Sequence, residues 1–222
     1  MTRVKTCGIS SAGDADLCLA AGADALGFVV EYPVPTPWTL TRAQARALVD
    51  RVRDVTECVA VVGGDADSVL TWVEAVQPHT VQLHGDESPA TVAEIATRLH
   101  GSDVAIVKAV RVPVGDRHAA AHWLALAREF IAAGATRILL DSRTASKPAG
   151  TGVAVARTLA QEFVARLEVP VVLAGGLTPA TVGAVVRSLR PWAVDVISAI
   201  EDRAHRKVPA RVREFINAVR GA

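Results

Sequence analysis

Lysine is nearly missing from this chain: only Lys5, Lys108, Lys147 and Lys207 occur in 222 residues. Arginine carries the rest of the positive charge, acidic residues balance it, and the net charge is +1. That leaves no basic field for nucleic acid or for an anionic membrane surface. Cysteine is equally sparse. Cys7, Cys18 and Cys58 are odd in number and far apart, which excludes a disulfide framework and a Cys-x-x-Cys metal site and fits a reducing cytoplasm. No apolar run approaches the ~20 residues that a bilayer-spanning helix needs. The segment Met1–Cys7 has no apolar core of the kind a signal peptide carries. His118 and His122 have helical i,i+4 spacing, but no third ligand accompanies them, so they read as surface histidines and no metal is expected.

Hydrophobic residues make up half of the chain, enough for a large core in one domain spanning 1–222. Short apolar runs alternate with amphipathic, alanine-rich stretches. The predicted strands are Val4–Cys7, Ala25–Val30, Glu57–Val62, Thr80–Leu83, Ala105–Val110, Arg137–Asp141, Val171–Ala174 and Ala193–Ser198. Helices are predicted near 12–21, 41–53, 66–76, 88–100, 119–133, 153–167, 178–189 and 208–220, with Thr41 and Ser88 as caps. Eight such repeats imply parallel pairing through right-handed crossovers. A closed (β/α)₈ TIM barrel accounts for the count, with an open doubly wound sheet as runner-up. The stretch 31–40, with Pro33, Pro35 and Pro37, follows the second strand and would lie over the mouth of such a barrel.

Barrels of this kind carry functional groups at the C-terminal ends of their strands. Cys7, Glu31, His84, Arg111, Asp141, Gly175–Gly176 and Ser198 fall there. The run Val171–Pro179 is the most informative. Its apolar strand ends at two glycines, and a helix then begins, with Thr178 as cap and Pro179 in the first turn. Glycines at that junction let backbone N–H groups reach an anion, and the helix N-terminus favours negative charge. Ser198-Ala199 follows the eighth strand, so both segments sit where such barrels hold phosphate.

Cys7 is a candidate base toward a carbon-bound proton. Lys5, two residues earlier, shares its side of the strand, and an ammonium there favours the thiolate. Asp141 closes the apolar run Ile138–Leu140, where a carboxylate needs a partner or a task, and general acid is the task proposed. Gln82 and His84 alternate with Val81 and Leu83 and should face the interior together. The glycines of Pro148–Gly152 suit a loop closing toward a ligand. Lys108 or Lys5 as a Schiff-base nucleophile is a competing reading.

Taken together, Lys5–Gly8, Gly22–Phe28, Val81–Glu87, Leu140–Ser142, Gly150–Gly152 and Ala174–Leu177 resemble phosphoribosylanthranilate isomerase, in that family's order and over nearly the whole chain. The resemblance implies a cofactor-free Amadori rearrangement in tryptophan biosynthesis, on a small phosphorylated sugar amine. By this analogy Asp141 is the acid and Cys7 the base. Gln82, His84, Arg111, Trp38 and Gly152 would contact substrate, and Gly175, Gly176, Ser198 and Ala199 would hold phosphate. A monomer or a homodimer is expected. Two positions depart from the family pattern. Trp38 stands about where the family places an arginine for the anthranilate carboxylate, with Arg42 or Arg111 as candidate substitutes. Ile197-Ser198-Ala199 replaces the usual Ser-Ser-Gly. Both departures bear on the substrate rather than on the reaction type. They keep two alternatives in view: a paralogue acting on a related phosphosugar amine, and a non-catalytic barrel that binds a phosphometabolite.

Overall fold

The computed structural model describes residues 1–116, 118–144 and 153–222. Among the described residues, nine strands form one all-parallel sheet: β1 (Arg3–Thr6), β2 (Ala25–Val30), β3 (Thr39–Leu40), β4 (Glu57–Val62), β5 (Thr80–Leu83), β6 (Ala105–Pro113), β7 (Arg137–Arg143), β8 (Val171–Leu173) and β9 (Ala193–Val196). The first strand pairs with both β2 and β9, so the sheet closes on itself and the expected (β/α)₈ barrel is the fold. The two-residue β3 adds on outside the ring, beside the end of β2. It brings the end of the proline-containing stretch back to the barrel mouth.

Eight α-helices are described around the ring: α1 (Ala12–Ala20), α2 (Arg42–Val52), α3 (Ala66–Val76), α4 (Pro89–Arg98), α5 (Ala120–Ala132), α6 (Arg157–Arg166), α7 (Pro179–Leu189) and α8 (Pro209–Arg220). The caps behave as their chemistry predicts. Thr41 and Gln44 form a reciprocal capping box, and the Ser88 hydroxyl accepts from the Thr91 amide with Pro89 in the first turn. Thr178 caps α7 ahead of Pro179.

Strand alternation sorts the core into two parts. Even-numbered residues of β2, Leu26, Phe28 and Val30, pack outward against the helices. Odd-numbered Ala25 and Val29 point inward and meet Cys7, Val59 and Val61. A second interior cluster joins Val107, Ala109, Leu139, Val172 and Ala193. At the opposite end of the barrel, Arg3 and Arg137 flank the Trp192 ring at 4.8 and 4.6 Å and both pair with Glu57. That end is closed by structural side chains, and the mouth is left for chemistry.

Two boundaries differ from expectation. The last strand stops at Val196, and Ser198–Ile200 forms a 3₁₀ turn instead of extending it. The sixth helix begins at Arg157 rather than 153. Val153 is held beside β7, its carbonyl accepting from the Ser142 hydroxyl at 2.6 Å, and the backbone there packs on Gly176. A segment tied down in this way cannot also wind into a first helical turn.

Candidate active site

Cys7, Gln82, His84 and Asp141 come from three strand ends, those of β1, β5 and β7, and all line one cavity of about 700 Å³ at the C-terminal mouth. Trp38, Gly175, Gly176, Ser198 and Ala199 line the same cavity. The thiol and the carboxyl, 134 positions apart by residue number (141 − 7), therefore share one space with the glycine turn beside them. Gly175 and Gly176 have φ of +79° and +63°, the left-handed region that side chains disfavour. A Cβ on Gly175 would sit 2.7 Å from Asp141 Oδ1, and one on Gly176 would strike the backbone of Val153 and Ala154. The bend needs bare backbone for both reasons.

The Cys7 side of the cavity is built by β1 and β9. Lys5 and Asp195 are register partners on these strands, and Lys5 Nζ donates to Asp195 Oδ2 at 2.9 Å. Burial alone would lower the Lys5 ammonium, but Asp195 and Cys7 outweigh it and hold it above the usual lysine range. For Cys7 the balance falls the other way. Burial pushes the thiol up, Lys5 pulls it down, Asp195 pushes up again, and the net shift is upward. The sequence expectation that Lys5 favours the thiolate has the right sign for that one interaction. Burial is the larger effect, and spacing along the chain does not encode it.

Gly27 shows how tight this corner is. A Cβ there would lie 2.5 Å from Cys7 Sγ and 3.0 Å from Lys5 Nζ. Gly27→Ala is therefore expected to cost roughly 1–3 kcal/mol in stability. It should also lower kcat/KM by more than about tenfold, because the thiol must move from its place in a tuned geometry. Thermal melts and steady-state kinetics on one preparation check both. Unchanged kinetics would show that the Sγ position is not critical.

The Asp141 side is built by β5 and β7. The Gln82 amide nitrogen lies 2.9 Å from His84 Nδ1, so the amide donates and the ring proton sits on Nε2. That Nε2 faces Asp141 Oδ2 at 3.5 Å, while Asp141 Oδ1 accepts from the Ser142 amide at 2.7 Å. One carboxylate oxygen is fixed by backbone and the other is left toward the cavity.

Other expected residues are not brought in. Arg111 is buried, its guanidinium bonds Asp86 at 2.6 Å, and it lines a neighbouring shallow depression rather than this cavity. Arg42 pairs with Glu31 and does not line the cavity either. Gly152 and the rest of the glycine-containing loop at 145–152 lie outside the described residues. Lys108 faces the helix layer, where its Nζ pairs with Glu87 at 2.8 Å and sits over the Phe130 ring. Its even parity in β6 puts it beside outward-facing Ile106 and Val110, and this rules out the Schiff-base reading for Lys108. Lys5 is inside, but its pairing with Asp195 keeps it an ammonium and not a nucleophile.

Sequence reasoning missed Tyr32, Asp195 and Glu201. Tyr32 lines the cavity and donates to the His84 carbonyl at 2.8 Å. Glu201 accepts from Trp38 Nε1 at 2.9 Å and from Lys207 Nζ at 2.5 Å, and Lys207 also donates to the Cys7 carbonyl. Only Asp195 left a usable signal: a charged residue at inward parity within an apolar strand.

Comparison with known proteins converges on one family. The family model described as N-(5'-phosphoribosyl)anthranilate (PRA) isomerase matches residues 4–218. The N-(5'-phosphoribosyl)anthranilate isomerase of Methanosarcina acetivorans is 35% identical over 99% of this chain and 93% of its own length. The phosphoribosyl anthranilate isomerase structure from Thermotoga maritima superposes with a TM-score of 0.82 at 31% identity and full coverage of both chains. Another phosphoribosyl anthranilate isomerase structure, described as a complex with reduced 1-(o-carboxyphenylamino)-1-deoxyribulose 5-phosphate, gives a TM-score of 0.79 at 30% identity, again over the whole of both chains.

Proposed function

The chain belongs to the N-(5'-phosphoribosyl)anthranilate isomerase family, and we propose that Cys7 and Asp141 carry that family's aldose–ketose rearrangement here. The substrate is an aminoaldose, a ribose 5-phosphate with an arylamine on C1, and the product is the corresponding 1-amino-1-deoxyribulose phosphate. The placement of Cys7 and Asp141 on one cavity, beside the Gly175–Gly176 bend, carries the assignment of roles.

The phosphate docks on the backbone of Gly175–Gly176 and Ser198–Ala199, next to the start of α7. That fixes the sugar between the two reacting groups. Asp141 gives its proton to the furanose ring oxygen. The C1–O bond breaks, and the nitrogen lone pair forms the C1=N iminium. Cys7, as thiolate, then takes the C2 proton. The C–H electrons form C1=C2, and the iminium π pair returns to nitrogen, giving an enolamine. Loss of the C2 hydroxyl proton and protonation at C1 yield the ketone. The iminium is the electron sink, so the two side chains complete the proton transfers.

The enzyme works on a free small molecule in the cytoplasm, as a monomer or a homodimer. Three free cysteines support that compartment. Among the described residues, no helix is long and apolar enough to cross a membrane. Complementation tests the reading directly. Expression in a tryptophan auxotroph that lacks this isomerase is expected to restore growth without tryptophan, and Cys7→Ala is expected not to. Failure of the wild-type chain to rescue, with soluble protein present, would favour the non-catalytic phosphometabolite barrel.

A further inference from the structure

β1 ends at Thr6, and the chain turns at once: Gly8 has φ of +71°, and a Cβ on it would lie 2.9 Å from the Trp38 ring. Cys7 sits at that junction. Its amide still donates to the Val196 carbonyl at 2.9 Å. Its own carbonyl lies beyond the strand and accepts from Lys207 Nζ at 2.5 Å. The Lys207 side chain has no exposed surface, and its ammonium also donates to Glu201 Oε1 at 2.5 Å.

Backbone contacts already fix the 201–207 strap. Glu201 and Lys207 form an antiparallel bridge, and the Lys207 amide donates to Asp14 in α1. A methionine at 207 would fill the same space without the cost of burying a charge. What the ammonium adds is positive charge on the peptide that carries the base. Lys5 does not supply this alone, because its partner Asp195 also acts on Cys7 and pushes the thiol up where Lys5 pulls it down. The counter-charge of Lys207 is engaged elsewhere: Glu201 Oε1 accepts from the Trp38 indole, and Oε2 faces His205 Nδ1 at 3.6 Å. Lys207 pulls the Cys7 thiol down, as a cation beside a thiolate must. Of the other titratable groups, Asp141, His84 and Tyr32 line the shared cavity, while β2 and β4 present uncharged residues to Cys7.

We infer that Lys207 is a further positioning residue of the reaction: its ammonium pins the Cys7 peptide at the mouth of the barrel and supplies positive charge to the thiolate that takes the C2 proton, with Glu201 holding the ammonium in place. The inference rests on the isomerase reading, in which Cys7 is the base.

The test replaces the pair by neutral residues of similar shape, Lys207→Met with Glu201→Gln, so that no charge is left buried alone and the Trp38 indole keeps an acceptor. Two readouts are taken across pH on the full chain. One is kcat/KM with the phosphoribosyl anthranilate substrate. The other is the rate of Cys7 alkylation by iodoacetamide, followed on the Cys7 peptide by mass spectrometry because Cys18 and Cys58 are also free thiols. The alkylation midpoint is expected to rise by about half a unit or more, which at a fixed pH below it is a threefold or greater loss of thiolate. The rising limb of kcat/KM should move with it. A change of access or of packing scales the alkylation curve and leaves its midpoint in place. A midpoint that rises by less than this, or falls, overturns the inference. Lys207→Met alone is a second variant with the same expected direction, read in place of the first if the double variant does not fold. If alkylation shifts and kcat/KM does not follow, Cys7 is not the base and the isomerase reading of this residue falls, while the hold of Lys207 on the thiol stands.

Discussion

Cys7→Ala is expected to lower kcat/KM by about 10²–10⁴-fold, the usual contribution of a general base, while the protein stays folded. The side chain is 2% exposed, and its loss removes one buried sulfur from a corner already filled by Lys5 and Gly27. The stability cost should stay near ~1 kcal/mol, visible as a small shift in Tm. Cys7→Ser should lose a similar factor although its shape is nearly kept, because a hydroxyl does not ionise in this range. That pair of variants separates ionisation from packing. The pH profile of the wild type adds a sign. Burial holds the Cys7 thiol above its ordinary value, so at neutral pH the thiolate is the minority form. Below that value, each unit of rising pH should then raise kcat/KM about tenfold, since only the thiolate can take the proton. A flat profile between about pH 6 and 8, or a serine variant close to wild type, would remove Cys7 from the role of base.

Different parts of this site are visible in the sequence to different degrees, and the reason is geometric. Strand parity is a local property, so the inward placement of Cys7, Gln82, His84 and Asp141 follows from alternation alone. The same rule turns Lys108 outward, toward Glu87, and so argues against a nucleophile at that position. The Gly175–Gly176 bend is legible because only glycine enters the left-handed region twice in succession at little cost. What stays hidden depends on where distant segments land. Arg111 has inward parity, yet β6 and β7 run on together to Pro113 and Arg143, past the end of β5. The guanidinium is carried to Asp86 in the loop beyond, in the depression that shares Tyr32 with the cavity. Glu201 and Lys207 belong to a strap whose path no periodicity encodes, so their hold on Trp38 and on the Cys7 carbonyl emerges only in the folded chain. Burial of Cys7 is collective in the same sense: it arises from β1, β2 and β9 together and not from its neighbours in sequence.

Asp141→Asn is expected to cost a comparable factor, about 10²–10⁴ in kcat/KM, with most of the loss in kcat. The carboxyl is 4% exposed and splits its two oxygens between different tasks. Oδ1 is held by the Ser142 amide at 2.7 Å, and Oδ2 faces Nε2–H of His84 at 3.5 Å. An asparagine keeps the volume and can still accept from Ser142 through its carbonyl oxygen. Its NH₂ then replaces Oδ2 and meets the N–H of His84, donor against donor, across a gap where the carboxylate had an attractive partner. The variant therefore loses the transferable proton and the charge that faces His84 Nε2. The phosphate contacts proposed at Gly175–Gly176 are made by backbone, which the substitution leaves in place, so KM should change by only a fewfold. The discriminating measurement is the split itself. A fall confined to KM would mean that Asp141 positions substrate and does not protonate it. Retention of more than a tenth of wild-type kcat would mean that ring opening proceeds without an acid at this position, and the ring oxygen would need another proton source in the cavity, for which His84, 3.5 Å from Asp141 Oδ2, is a candidate.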